Sequence, residues 1–359
     1  MNSIKHDMTA RKANLPLIGM MVLGLVACQQ GSHKEKDKVS ESTTFTNPVF
    51  DEDFADPTPV KAGDGYYYVY ATNSQVDGET IHIQVAKSSD LVNWERTGDA
   101  LPEKPNWADK DFWAPHVHYD PGEQRYYLYY SGESIDGQYG KCLGVATSNN
   151  PAGPFRDKGE PLLCGDGFIN IDPMSFDDPV TGKKYLYWGS GFEAIKVQEL
   201  SDDRLSFKEG SEPIDLINPI ADESPDNYQR LVEGAWVVYR NGYYYLFYSG
   251  DNCCGEQAHY AVMVARAEHA TGPFQTLAEA TGSENSVIME RSGRWIAPGH
   301  NSLIRDDAGQ DWIFYHAIDS QKGSGGRMML MDKITYEDGW PVIANGMPSE
   351  KNIPGPVIE

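Results

Sequence analysis

Five similar units follow one another along this chain, and this repetition limits the fold more than any other feature. Each unit starts with a segment that carries an acidic residue, a Trp or a His. It continues through a Gly- or Asp-containing turn into an aromatic strand, and a strand of small residues and a closing segment follow. The residues that mark the five starts lie about 60 positions apart and are Asp56, Trp113, Asp172, Glu233 and His300.

The turn and strand signals inside the units are those of antiparallel β-structure. Dipeptides such as Pro121-Gly122 and Asn241-Gly242 separate aromatic or alternating runs, as hairpin turns do. No long segment carries an apolar stripe at the helical period. Four strands per unit, repeated five times, predict an all-β fold, a five-bladed β-propeller with four antiparallel strands per blade. A β-sandwich would not explain the repeat.

The first residues have the features of an export signal. Lys5, Arg11 and Lys12 precede an apolar run over residues 15–27 that is too short to span a membrane comfortably. The run ends in small residues before Cys28, which resembles a bacterial lipobox, although an ordinary secretory signal could also contain a cysteine. We therefore expect an exported lipoprotein of the cell envelope, anchored by a lipid on Cys28 to the periplasmic or outer side of the outer membrane. The predicted segments are a lipoprotein signal peptide (1–27), a flexible tether (28–45) and a propeller catalytic domain (46–359).

The charge of the chain excludes several classes of partner. Asp and Glu number 53 against 30 Lys and Arg, which gives a formal net charge of -23. Such a surface repels nucleic acids and anionic membranes, because phosphate binding depends on Lys and Arg. We expect no nucleic-acid partner, membrane contact only through the lipid anchor, and a monomer.

Apart from Cys28, four cysteines lie beyond the predicted signal, in an oxidising compartment. They do not form the CxxC pairs that are typical of zinc sites. Cys142 and Cys164 could form a disulfide, and so could the neighbours Cys253 and Cys254. The sequence leaves reduced thiols open as the alternative.

Three acidic residues occupy the starts of separate units. Asp56, Asp172 and Glu233 each follow an apolar residue and are expected to precede the first strand of a unit. The innermost strand of each propeller blade lines the axis, so these carboxylates are expected to meet in one pocket. Neighbouring carboxylates repel, and one of them should therefore have a raised pKa, as a general acid requires, while another stays ionised as a base. Any one of them alone could instead be a structural turn residue.

The segments around these acids carry a resemblance to a known family. Asp56 stands in Phe-Ala-Asp-Pro, Asp172 in Ile-Asp-Pro-Met and Glu233 in Val-Glu-Gly-Ala-Trp. This pattern resembles glycoside hydrolase family 43, five-bladed propellers that act on arabinose- and xylose-containing plant polysaccharides, over about residues 46–355. The resemblance implies an inverting hydrolase, with Asp56 as general base, Glu233 as general acid and Asp172 tuning the pKa of Glu233 and orienting it.

Four further residues are candidates for the same pocket. The resemblance implies that His300, in Ala-Pro-Gly-His-Asn-Ser, holds a calcium ion on the axis mostly through water, although an axial His without metal is the alternative. It also implies that Arg327 points toward the catalytic carboxylates. Trp113 offers an apolar platform for a sugar ring, unless it is a core aromatic residue. His316 is a further pocket candidate or a core residue.

The leading hypothesis for function is an enzyme that cleaves α-L-arabinofuranosyl linkages in plant cell-wall arabinan or related polysaccharides. The Glu-Gly-Ala-Trp and Ala-Pro-Gly-His-Asn-Ser segments resemble arabinan-active members more closely than β-xylosidases. A β-xylosidase or an arabinoxylan-debranching arabinofuranosidase is the enzymatic alternative. A lipid-anchored propeller that binds glycans without cleaving them is the non-enzymatic one. Exo or endo action depends on the loops around the pocket and is left open.

Overall fold

The computed structural model describes residues 44–222, 224, 227–323 and 326–359. The predicted signal peptide, Cys28 and all but the last two residues of the predicted tether lie outside this part of the chain. Within the described residues, no helix is both long enough and apolar enough to cross a membrane.

The described chain forms five antiparallel sheets of four or five strands and two small two-stranded sheets, and the five larger sheets confirm the predicted five-bladed propeller. A short strand, β1 (Thr44–Phe45), comes first. Blade 1 contains β2 (Thr58–Lys61), β3 (Tyr67–Ala71), β6 (Gln84–Ser88) and β7 (Glu95–Asp99), and the small hairpin of β4 (Ser74–Val76) and β5 (Glu79–Ile81) lies between its second and third strands. Blade 2 contains β8 (Ala108–Asp120), β9 (Arg125–Ser134), β10 (Lys141–Ser148) and two short strands that both pair with β10, β11 (Arg156–Asp157) and β12 (Leu163–Cys164).

The remaining three blades repeat this order. Blade 3 contains β13 (Met174–Asp177), β14 (Lys184–Trp188), β15 (Ile195–Glu199) and β16 (Ile214–Ile217). Blade 4 contains β17 (Val232–Arg240), β18 (Tyr243–Asn252), β19 (His259–Ala267), β20 (Gln275–Thr276) and β21 (Val287–Met289). Blade 5 contains β22 (Trp295–Arg305), β23 (Asp311–Asp319), β24 (Met328–Glu337) and β25 (Trp340–Ile343), and β26 (Ile353–Pro354) ends the described chain. The described helices are short: α1 (Leu277–Thr281) and two 3₁₀ turns, Tyr228–Arg230 and Ala344–Gly346.

The first strands of the five blades form a closed ring. β2 contacts β8 and β22, β13 contacts β8 and β17, and β17 contacts β22. Because each first strand touches the first strand of both neighbouring blades, these strands line the axis of the propeller.

The ends of the chain close this ring. β1 pairs antiparallel with β26, and Phe50 pairs with Met329 of β24 in the last blade. The two residues of β1, Thr44 and Phe45, were expected to belong to the tether, but they have ladder partners in Pro354 and Ile353.

The core consists of apolar clusters between adjacent blades. Buried Tyr70 of blade 1 and Leu128 of blade 2 belong to one cluster, and Val145 of blade 2 packs with Trp188 of blade 3 in another. A larger cluster joins blades 3, 4 and 5. The cluster between blades 5 and 1 includes Phe45 and Phe50, so the segment before blade 1 supplies apolar side chains to it. These clusters hold the blades together and fix the positions of the strand ends at the axis.

Candidate active site

A pocket of about 530 Å³ opens beside the starts of the first strands. This volume lies within the range of roughly 300–1,000 Å³ that small-molecule sites in proteins occupy. Its lining includes six of the seven predicted site residues: Asp56, Trp113, Asp172, Glu233, His300 and Arg327. Side chains that the sequence analysis did not predict complete the wall: Glu133, Lys141, Phe168, Ile171, Leu231, Asp251, Asn252, Cys253 and Cys254.

Left-handed backbone in or just before each first strand places these side chains. Each blade has such a residue, namely Asp56 (59°), Ala114 (48°), Asp172 (59°), Gly234 (64°) and His300 (48°), and Asp111 in β8 and Ala297 in β22 also have positive φ. A side-chain-bearing residue in this conformation costs about 1–3 kcal/mol, and such residues concentrate at functional sites. Asp56, Asp172 and His300 therefore occupy equivalent positions, whereas Trp113 and Glu233 lie one residue earlier.

Asp56 lies among donors and positive charges. It is 5 % exposed, and it precedes β2. Arg327 donates from Nη1 to its Oδ1 over 3.3 Å, and the Nδ1 atom of His316 lies 3.0 Å from the same oxygen. The hydroxyl of Thr72 donates to Oδ2. Burial raises the pKa of Asp56, but Arg327, His300 and His316 outweigh it and hold this pKa well below its ordinary value.

Glu233 lies among neutral donors instead. It is 9 % exposed on β17. The Tyr260 hydroxyl donates to its Oε1 over 2.7 Å, and the Ser190 hydroxyl donates to its Oε2 over 3.0 Å. Burial raises the pKa of Glu233 to about 7, although both hydrogen bonds lower it, and the charge of Asp56 raises it further.

Asp172 lies close enough to both other carboxylates for their charges to affect its pKa. It is 6 % exposed, and its Oδ2 accepts a hydrogen bond of 2.9 Å from the backbone N–H of Gly234, the residue after Glu233. Burial, followed by the charges of Glu233 and Asp56, raises the pKa of Asp172 well above its ordinary value. Because both Asp172 and Glu233 have raised pKa values, the pair retains a proton at a pH where isolated carboxyl groups are ionised.

The two predicted histidines occupy different depths. His300 lines the pocket, and its Nδ1 lies 3.5 Å from Oδ1 of Asp56 and 3.7 Å from Oδ2 of Asp172. His316 on β23 is fully buried behind Asp56 and is not among the residues that line the pocket. Burial lowers the pKa of His316 to about 4, so this ring is neutral near pH 7. His316 can therefore orient Asp56 by hydrogen bonding.

Trp113 lines the same pocket and lies against a cation, Lys141. The ammonium of Lys141 lies 3.9 Å from the centre of the Trp113 ring. Lys141 is itself held by Asp111, whose Oδ2 is 2.7 Å from the Lys141 Nζ, and by Glu133, at 2.5 Å. The indole is thus fixed by a charged cluster that no sequence motif indicated.

The cysteines differ between the two predicted pairs. Cys142 and Cys164 form a disulfide between the directly opposed positions of β10 and β12. Cys253 and Cys254 are separate thiols in the turn after β18, and both line the pocket. A hydrogen bond from Cys253 is the main cause that lowers the pKa of the Cys254 thiol to about 6.

The surroundings of His300 bear on the expected metal. Among the described residues, no three His, Cys, Asp or Glu side chains are grouped so that they could hold a metal ion. Calcium takes six to eight oxygen ligands, which these side chains do not provide by themselves. Both polar side-chain atoms of the neighbouring Asn301 are buried without a hydrogen-bond partner, and they would be satisfied by water. The site therefore suits only an ion that is bound mainly through water.

A buried carboxyl group that keeps its proton near neutral pH, close to one that stays ionised, is the equipment for hydrolysis of a glycosidic bond. Together with the sugar-sized pocket on a propeller axis, it defines the protein as a glycoside hydrolase. A family-wide sequence profile described as "Glycosyl hydrolases family 43" matches residues 45–341. The chain belongs to this family.

Three relatives illustrate the range within the family. The extracellular exo-alpha-(1->5)-L-arabinofuranosidase ArbA of Cellvibrio japonicus is 28 % identical, and the match covers 81 % of this chain and 86 % of that protein. The extracellular endo-alpha-(1->5)-L-arabinanase 1 of Bacillus subtilis is also 28 % identical, with 80 % and 86 % covered. The crystal structure of a thermostable family-43 glycoside hydrolase superposes with a TM-score of 0.72 at 28 % identity, over 88 % of this chain and all of that one.

Proposed function

We propose that this protein hydrolyses α-L-arabinofuranosyl linkages in plant cell-wall arabinan or a related polysaccharide, with inversion at the anomeric carbon. The observation that carries this proposal is the opposite displacement of two carboxyl pKa values in one pocket, low for Asp56 and high for Glu233. An inverting enzyme needs one group of each kind, about 6.5–9.5 Å apart with a water molecule between them.

Each carboxyl group has a separate task in the proposed reaction. Asp56, ionised, accepts a proton from the water that attacks the anomeric carbon. Glu233, protonated, donates its proton to the departing glycosidic oxygen as the carbon–oxygen bond breaks. Asp172 holds the Gly234 amide and so fixes the backbone that carries Glu233, and its charge state affects the pKa of that acid. Arg327 keeps Asp56 ionised and is placed to donate to a substrate hydroxyl.

The arabinan preference is supported by the relatives, two of which act on α-(1→5)-linked arabinose by their names. Since one of these is an exo- and the other an endo-acting enzyme, the products must decide the mode of action. We expect the protein to release arabinose or arabino-oligosaccharides from linear arabinan faster than it releases any sugar from arabinoxylan or from β-xylosides. Chromatography of the products from each polysaccharide measures this. A higher rate on β-xylosides would contradict the arabinan proposal and favour the β-xylosidase alternative.

Substitution of the two carboxylates tests the assigned roles. Glu233→Gln and Asp56→Asn should each lower kcat on arabinan by about a thousandfold or more, because each removes one half of the proton transfer. Calorimetric binding of an arabino-oligosaccharide should survive in both. Glu160→Gln, at an exposed glutamate outside the pocket, is the matched control and should leave kcat unchanged. Near-wild-type turnover in either active-site variant would contradict the mechanism.

The proposed location is the bacterial cell envelope, with the propeller anchored by a lipid on Cys28. The lipobox-like sequence at residues 25–28 and the extracellular relatives support export. Mass spectrometry of the N-terminal peptide tests the anchor. A diacylglycerol-modified Cys28 is expected, and an unmodified chain cleaved elsewhere would contradict it.

Calcium remains the proposed ion at His300, with water as its other ligands. Its positive charge would add to that of Arg327 and further favour the ionised form of the nearby carboxylates. Elemental analysis of the purified protein should find about one calcium per chain. Absence of calcium, with activity unchanged after exhaustive chelation, would contradict this proposal.

A further inference from the structure

A second depression lies beside the catalytic pocket, between blades 3 and 4. It has a volume of about 320 Å³. Its lining includes Phe192, Pro219, Ala221, Asp222 and Arg230. Phe192 is 58 % exposed, so a face of its ring is accessible from solvent.

The depression adjoins the catalytic pocket, because side chains in the two walls contact each other at two points. The ring of Phe192 packs edge to face against Phe168, with 6.0 Å between the ring centres, and Phe168 lines the catalytic pocket. Arg230 donates from Nε over 3.1 Å to Oδ1 of Asp251, which also lines the catalytic pocket. Phe192 and Arg230 therefore lie one side chain beyond the wall of the catalytic pocket.

The contacts of Glu233 show which part of a substrate would lie there. Ser190 and Phe192 belong to the same turn between β14 and β15, and the Ser190 hydroxyl donates to Glu233 over 3.0 Å. In the proposed mechanism, Glu233 protonates the oxygen of the leaving group. The turn that carries Phe192 therefore borders the leaving-group side of the cleaved bond.

From this geometry we infer that the depression binds a sugar residue on the leaving-group side of a polysaccharide substrate. The exposed face of Phe192 stacks on the apolar C–H face of the sugar ring. The guanidinium of Arg230, which is half exposed, and the carboxylate of Asp222 are placed for its hydroxyl groups. This inference rests on the proposed function, and it adds that the enzyme distinguishes long chains from small leaving groups.

The consequence is a dependence of the kinetics on chain length. We expect an aryl leaving group to occupy only the position next to the cleaved bond, whereas an arabino-oligosaccharide with several leaving-group residues extends beyond it to the depression. Binding there should lower KM for long substrates and should leave hydrolysis of the aryl α-L-arabinofuranoside unaffected.

Phe192→Ala tests the inference. We expect kcat/KM to fall about tenfold on long arabino-oligosaccharides, mainly through KM, with no change on p-nitrophenyl α-L-arabinofuranoside. Phe192→Tyr, which keeps the ring, should restore the oligosaccharide kinetics. Val180→Ala is the matched control, because Val180 is 62 % exposed in the turn at the opposite end of the same blade. Val180→Ala should leave kcat/KM unchanged on both substrates.

Two outcomes would overturn the inference. One is wild-type kcat/KM for Phe192→Ala on long oligosaccharides. The other is an equal loss on oligosaccharide and aryl substrates, which would place Phe192 in the support of the catalytic pocket. Failure of the wild-type protein to hydrolyse either arabinoside would instead contradict the proposed function, so the two ideas fail separately.

Discussion

At the residue scale, the acid and the base differ in the charge of their neighbours. Both carboxyl groups are buried, and burial alone would raise both pKa values. Asp56 has the guanidinium of Arg327 beside it, which stabilises its ionised form. Glu233 instead accepts hydrogen bonds from the neutral hydroxyls of Tyr260 and Ser190, which offset burial in part. The charged neighbours of Asp56 and the neutral neighbours of Glu233 therefore give the two carboxyl groups opposite pKa shifts, as the proposed base and acid require.

These shifts predict the pH dependence of kcat/KM. In the proposed mechanism, activity requires ionised Asp56 and protonated Glu233. The pKa of Asp56 is well below the ordinary carboxyl value, so activity should persist into the acidic range. The pKa of Glu233 is about 7, so activity should fall as the pH rises through about 7.

Tyr260→Phe provides a test of the same claim. Its hydroxyl lowers the pKa of Glu233, so its removal should move the falling limb of the pH profile to higher pH, by about one unit. Tyr66→Phe, at a half-exposed tyrosine in blade 1, is the control and should leave the profile in place. A limb that stays fixed, or moves to lower pH, in Tyr260→Phe would show that this hydrogen bond does not set the pKa of Glu233.

The sequence predicted the charged residues of the site better than their neutral partners. Asp56 and Glu233 lie at the starts of repeated units and could be found by repetition, whereas Arg327 was indicated by the family resemblance. Tyr260 lies on β19, the third strand of blade 4, and Ser190 lies in the turn after β14 of blade 3. Tyr260 reaches Glu233 within blade 4 itself, whereas the packing of blade 3 against blade 4 brings Ser190 to it. No local sequence pattern indicates either contact.

At the scale of the strands, the five units share one backbone feature. A residue with a positive φ lies in or just before each first strand. The sequence analysis found the period, because this turn is followed each time by aromatic strands and hairpin turns. The sequence analysis treated Glu233 and Asp172 as structurally equivalent residues of two blades. The positive φ angles show instead that Gly234 in blade 4 corresponds to Asp172 in blade 3. The positive φ could not be predicted from residue type, since Ala, Asp, Gly and His all occur at this position.

The disulfide of blade 2 is an element whose contribution can be measured. It joins Cys142 on β10 to Cys164 on β12, residues 22 positions apart. Replacing both cysteines by alanine should lower the free energy of unfolding by about 3 kcal/mol, because the unfolded chain regains the freedom of the open loop. Urea unfolding followed by fluorescence measures it.

Reduction of the wild-type protein is the control for this variant. Dithiothreitol should destabilise the wild-type protein to the same extent and should leave the double-alanine variant unchanged. Equal unfolding free energies for the oxidised wild-type protein and the variant would show that the bridge contributes nothing.

At the scale of the whole molecule, the propeller turns distant sequence positions into neighbours. Asp56, Asp172 and Glu233 come from blades 1, 3 and 4, and they meet because the first strands form a closed ring. Closure depends on β1 pairing with β26 and on the apolar cluster between blades 5 and 1. The sequence predicted the number of blades from the repeat. It did not predict the closing strand at Thr44–Phe45, because two residues carry no periodicity.

The central claim is that Asp56 and Glu233 act as base and acid on opposite faces of the sugar. The most direct test is proton NMR of the product as it first forms from an α-L-arabinofuranoside, before mutarotation. Attack by water activated by Asp56 predicts that the β-anomer of arabinose is formed first. Initial formation of the α-anomer would mean that configuration is retained, and it would contradict the mechanism assigned to these two carboxylates.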